Sequence, residues 1–164
     1  MAIPLADAAR CGVAVGLLIA ACSTAPTVPT SARTVVPMQI LNTMTLVSVH
    51  VNDSPYHALF LVDTGANLTV LTPLFAQRLG IAVPDNARRR NLRAVGGGAL
   101  SIPLVRITRL AVGDAFIENI DVGVYEAFPQ TRSIDGILGA DFLHRFNVTL
   151  DRTNGRMLLE PLAR

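Results

Sequence analysis

The sequence predicts a mostly β domain, a compact barrel or sandwich with one or two short helices. Two observations lead there: apolar and polar residues alternate with a period of two, and turn residues recur at short intervals between the alternating runs. Val47, Val49 and Val51 alternate with Ser48, His50 and Asn52, a half-buried strand. Asn52-Asp53-Ser54-Pro55 is turn chemistry, and Tyr56 to Val62 returns as its partner. Asp63-Thr64-Gly65-Ala66 interrupts before Asn67 to Leu71, apolar and β-branched again. Thr72 is suited to cap a helix, Pro73 to open it and Gly80 to end it, so one short helix spans Pro73 to Leu79.

The second half is built in the same style. Strands at Leu92 to Val95 and Ala99 to Ile107 flank Gly96-Gly97-Gly98, a mobile hairpin tip. Leu110 to Val112 and Ala115 to Tyr125 are joined by the Gly113-Asp114 turn. Ile134 to Leu138 is apolar, and Gly139-Ala140-Asp141 leads into a short helical segment ending at Arg145. Phe146 to Asp151 and Arg156 to Glu160 pair across a turn whose Asn154-Gly155 is a strong hairpin signal.

The chain opens differently. A run of apolar and small residues from Cys11 to Cys22 follows Arg10, about the length of a signal-peptide core and short for a membrane span. It closes with Leu18-Ile19-Ala20-Ala21-Cys22, which resembles the lipobox of bacterial lipoproteins. The resemblance implies a signal peptide at 1–21, lipidation of Cys22, and a bacterial cell-envelope location. The protein would be lipid-anchored to a membrane and face the periplasm or exterior. An ordinary signal peptide or a short uncleaved anchor is the alternative. Ser23 to Pro37 is rich in Ser, Thr, Ala and Pro and reads as a flexible tether, with the folded domain at 38–164.

Composition narrows the chemistry. At 164 residues the chain holds one ordinary domain, and its net charge of +2 gives no argument for nucleic acid. All basic side chains are Arg, which excludes Schiff-base lysines, Walker-type phosphate loops and Ser-Lys dyads. Arg88-Arg89-Arg90 is the one basic run and reads as a solvated loop. Both cysteines, Cys11 and Cys22, precede the domain, so it contains no disulfide or thiolate metal site. His50, His57 and His144 lack metal-ligand spacing, and neither metal nor cofactor is expected.

The chemistry is placed in Phe60-Leu61-Val62-Asp63-Thr64-Gly65-Ala66. Such a carboxylate, between a buried strand and a tight loop, faces a cleft in fixed geometry. The Thr64 hydroxyl can lock the loop, and Gly65 allows close backbone approach. With Leu61-Val62 before Asp63, the Gly96 to Gly98 hairpin and the late Ile137-Leu138-Gly139, the sequence resembles the retropepsin-like aspartic proteases. Gly136-Ile137-Leu138-Gly139-Ala140-Asp141-Phe142-Leu143 looks especially like bacterial members.

The resemblance implies a single-lobe acid-protease barrel and an aspartic endopeptidase acting on peptide or protein substrates. Asp63 would be the catalytic residue, with Thr64, Gly65 and Ala66 supporting its loop and Gly96, Gly97 and Gly98 in the flap. The family's dyad needs two carboxylates, and this chain has one Asp-Thr-Gly. The resemblance therefore implies a homodimer, with Thr64 hydrogen-bonding across its axis. Asp135 reads as a turn residue and Asp141 as a cap or hydrogen-bond acceptor. Retroviral members carry a charged pair after the late glycine. Gly139-Ala140-Asp141 has no adjacent Arg, so dimer contacts differ there. A binding or adaptor lipoprotein that kept this fold without activity is the alternative function.

Overall fold

The computed structural model describes residues 33–93 and 98–162. Its strands are β1 (Thr34–Leu41), β2 (Met44–Val51), β3 (Ala58–Val62), β4 (Val70–Leu71), β5 (Arg89–Arg93), β6 (Ala99–Val112), β7 (Ala115–Val124), β8 (Gly136–Leu138), β9 (Phe146–Asp151) and β10 (Arg156–Pro161). Two short helices, α1 (Pro73–Arg78) and α2 (Ala140–Leu143), complete it. Both helices fall where cap chemistry and the late glycine placed them. The Thr72 hydroxyl accepts the Phe75 amide at 3.3 Å, and Pro73 occupies the first turn.

The strands form one sheet in the order β5-β6-β7-β4-β8-β3-β2-β1-β10-β9, and an additional β6–β2 pairing closes it on itself. That pairing, His50 with Ala111 and Val51 with Leu110, makes a ring of β2, β3, β8, β4, β7 and β6. The predicted barrel is this ring. Its interior holds Phe60, Phe75, Leu71, Leu110, Leu138 and Phe142, each essentially without solvent exposure. Burial of that kind stabilises the fold by about 1.5–3 kcal/mol per large apolar side chain. Asn52 locks the closure: it adopts φ 54° at the end of β2, and its Oδ1 accepts the Thr108 amide and hydroxyl, both at 2.9 Å.

Several boundaries differ from the sequence reading. Thr34 to Pro37, read from sequence as the end of a tether, belong to β1. These residues pair with β10, and the next four, Met38 to Leu41, pair with β2. Thr34, Val36 and Met38 are buried while Val35 and Pro37 are exposed, a period-two pattern that Ser, Thr and Pro composition concealed. Arg89 and Arg90 lie in β5 and not in a loop, and Leu110 to Val112 continue β6 instead of forming a separate strand. The strand expected from Asn67 shrinks to Val70–Leu71. Residues 1–32, with the apolar segment and Cys22, lie outside the described residues, as do Gly96 and Gly97. Among the described residues no helix is long and apolar enough to cross a membrane.

Candidate active site

β3 runs parallel to β8, pairing Leu61 with Ile137 and Val62 with Leu138. Where the two strands end, the chain leaves β3 through Asp63 to Ala66. Two backbone bonds bracket this loop: the Asp63 amide donates to the Leu138 carbonyl at 3.1 Å, and the Ala140 amide donates to the Ala66 carbonyl at 2.7 Å. The late glycine segment thus holds the Asp63 loop at both ends. Within the loop the Gly65 amide donates to Asp63 Oδ1 at 2.9 Å, fixing the carboxylate. A Cβ at Gly65 would stand 3.3 Å from that oxygen, a tight contact that a larger residue could meet only by shifting the carboxylate. Asp63 and Ala66 are half-buried, whereas Thr64 and Gly65 form an exposed tip.

Behind the loop, Asp141 accepts the Thr69 hydroxyl at 2.6 Å, the Thr69 amide at 2.9 Å and the Phe142 amide at 2.9 Å. The Gly139 amide in turn donates to the Thr69 hydroxyl at 3.1 Å. A Cβ at Gly139 would come within 2.6 Å of the Leu68 backbone, so α2 docks against this stretch only because that position has no side chain. Asp141 is therefore a hydrogen-bond acceptor, as read from sequence. Asp135 is also structural: its carboxylate accepts the Leu59 amide at 3.1 Å and lies 3.6 Å from Arg78.

Asp63 opens onto a groove of about 580 Å³. Leu92, Leu100 and Ile102 of the β5–β6 hairpin line it, together with Tyr125, Ala127 and Ile137. Gly98 is exposed at the hairpin's described end. Arg88 and Arg106 hold the hairpin base to β7 by pairing with Asp121, Arg106 at 2.7 Å. The Arg106 hydrogen bond keeps the Asp121 carboxyl below its ordinary value, against the opposing effect of burial. Among the described residues no cluster of three or more His, Cys, Asp or Glu side chains could hold a metal ion.

A fixed carboxylate on a tight loop, facing a largely apolar groove, has the chemistry of a general base. A model of the aspartyl protease family matches residues 47–142, more than half of the sequence. The chain belongs to the aspartyl protease family. Its fold is retropepsin-like. The crystal structure of a retropepsin-like aspartic protease from Rickettsia conorii is similar over 82% of this chain and 92% of that one, with 21% identity and a TM-score of 0.58. The retroviral protease-like domain of Ddi1 from Leishmania major is similar over 74% of this chain and 96% of that one, with 19% identity and a TM-score of 0.46. Comparison with curated proteins gives no match.

Of the residues singled out in the sequence, Asp63, Gly65 and Ala66 meet in the groove, with Thr64 at the adjacent tip. Gly98 stands at the far hairpin. Sequence reasoning missed Thr69 and the groove walls. Alternation around Leu68 and Val70 marks Thr69 as a strand position, but nothing local announces its bond to Asp141, 72 residues away.

Proposed function

We propose that this protein is an aspartic endopeptidase whose dyad consists of two Asp63 carboxylates, one from each subunit of a homodimer. The supporting observation is the Asp63 loop: anchored at both ends, its tip exposed, its carboxylate half-buried above an apolar groove. Asp135 and Asp141 are committed to backbone donors and do not supply a second acid. Two carboxylates brought face to face cannot both ionise and share one proton. The ionised member takes a proton from the bound water as its oxygen bonds to the scissile carbonyl carbon. The protonated member gives its proton to the carbonyl oxygen. As the gem-diol collapses, the carboxyl that took the water's proton gives it to the amine nitrogen, the other carboxylate takes the proton of one gem-diol hydroxyl, and the C–N bond breaks, leaving the dyad again with one shared proton. The test is peptide cleavage by the full chain and by Asp63→Asn. The wild type cleaves and the variant, equally folded, loses at least about a thousandfold in rate. Cleavage retained in the variant removes Asp63 from the chemistry; a folded wild type that cleaves nothing favours a binding module.

The same reading extends to the N-terminus. Cys22 carries the lipid of a bacterial envelope lipoprotein, after removal of 1–21. Cys22 precedes the start of β1 at Thr34 by twelve positions in sequence. Confinement to a membrane raises local concentration and favours pairing. Mass spectrometry of the membrane fraction finds acylated Cys22, and Cys22→Ser leaves that fraction. An unmodified N-terminus elsewhere contradicts the anchor.

A further inference from the structure

A second groove, about 640 Å³, adjoins the one at Asp63 and shares Asn67, Asn91 and Leu92 with it. The two concavities therefore neighbour one another at Asn67, Asn91 and Leu92. The two differ in chemistry. Apart from Asp63, two asparagines and the Tyr125 hydroxyl, the side chains around the Asp63 groove are apolar. The second is flanked by Arg90 on β5 and by His144 and Arg145 just beyond α2.

The charged residues around this groove are mostly basic. Its one acidic member, Asp141, has its oxygens committed to Thr69 and to the Phe142 amide. Elsewhere Arg88 and Arg106 pair with Asp121, Arg78 with Asp135, Arg156 with Asp151 and Arg33 with Glu160; Arg89 donates to Ser101, Arg109 lies over the Phe116 ring, and Arg132 and Arg152 form no ion pair among the described residues. Arg90 and Arg145 form no ion pair among the described residues. Two guanidiniums from separate elements bordering one concavity suit a carboxylate, which each can meet with paired N–H donors.

We propose that this groove is a specificity site for an acidic side chain, Asp or Glu, in a substrate whose residues flanking the scissile bond are apolar. The proposal rests on the Asp63 groove being the peptide-binding cleft. Arg90 and Arg145 act on binding, so the preference appears in KM more than in kcat, and it weakens with salt because both are solvent-accessible.

The test is a peptide scan with the full chain. An apolar core peptide carries Glu or its neutral isostere Gln at each position within about four residues of the scissile bond, since an extended chain advances ~3.3 Å per residue. At one position Glu raises kcat/KM about 3- to 10-fold over Gln. That ratio falls to about 1 in the Arg90→Gln/Arg145→Gln double variant. Arg152→Gln, in the β9–β10 turn, leaves the ratio as in the wild type. Ratios within about 2-fold at every position, or a preference that survives in the double variant, overturn the proposal. Binding of the same peptides to Asp63→Asn separates this failure from that of the protease reading. Tighter binding of the Glu peptide without wild-type cleavage upholds the groove and refutes the chemistry. Cleavage with equal binding does the reverse.

Discussion

Asp141 sits where α2, the late glycine and the strand after the catalytic loop meet, and its replacement has a calculable cost. Thr69 is fully buried, and Asp141 accepts both its amide and its hydroxyl. Asp141→Ala leaves both as buried donors without an acceptor, while the Phe142 amide keeps the Gly139 carbonyl at 3.1 Å. An orphaned buried donor costs about 1–3 kcal/mol. Water entering from the groove relieves part of this, so the expected loss is about 2–4 kcal/mol. Thr69→Val removes the hydroxyl and strands the Gly139 amide instead, for about 1–3 kcal/mol. In the double variant the hydroxyl is no longer there to be orphaned. The combined loss is therefore smaller than the sum by about 1 kcal/mol. Urea unfolding at neutral pH reads all four proteins, provided the slope with denaturant stays constant. A loss below about 0.5 kcal/mol in Asp141→Ala, or strict additivity, refutes the reasoning.

Three further outcomes are expected. Asp121 titrates below its ordinary value of 3.8, chiefly through the Arg106 hydrogen bond, so its contribution is present above about pH 4 and is lost as pH falls further. Asp121→Asn should cost up to about 1 kcal/mol at neutral pH, and thermal melts should show the gap closing in acid; a gap independent of pH contradicts the pairing. Burial first, and then His57 with its ring centroid 4.1 Å away, lower the His50 value from 6.5. The unfolded chain thus takes up a proton first, and stability falls as pH drops below about 6.5. His50→Gln should flatten that decline more than His57→Gln, and melts in which neither changes it exclude the pair as its source. Ala66→Ser places a hydroxyl beside the proposed dyad and favours its charged form, so the acid limb of the activity profile should move to lower pH. An unmoved profile rules out that contact.

Local features were the legible ones. The β9–β10 hairpin follows from Asn154-Gly155, and α1 from Thr72 and Pro73, because a turn or cap depends on a few neighbouring residues. The Asp63 loop was readable for the same reason. Long-range pairings left no such trace. Nothing near His50 indicates that it pairs with Ala111, and a three-residue strand at Gly136 to Leu138 gives no sign of running parallel to β3. β1 was half hidden: apolar Val35 stands on its exposed face beside Pro37, and after Pro37 the strand changes partner from β10 to β2. The two arginines of the second groove lie 55 positions apart in sequence, and one belonged to a run that looked merely solvated.

The central claim, one Asp63 from each of two copies, is tested most directly by mixing. Wild-type chain and Asp63→Asn are combined at constant total concentration, above the dimer dissociation constant, and peptide cleavage is measured as the wild-type fraction varies. Hybrids contain a single catalytic carboxylate and are inactive. Activity then follows the square of the wild-type fraction, so an equal mixture retains about a quarter of the full rate. A rate that declines in direct proportion, with about half retained, would mean that each chain works with its own Asp63 alone.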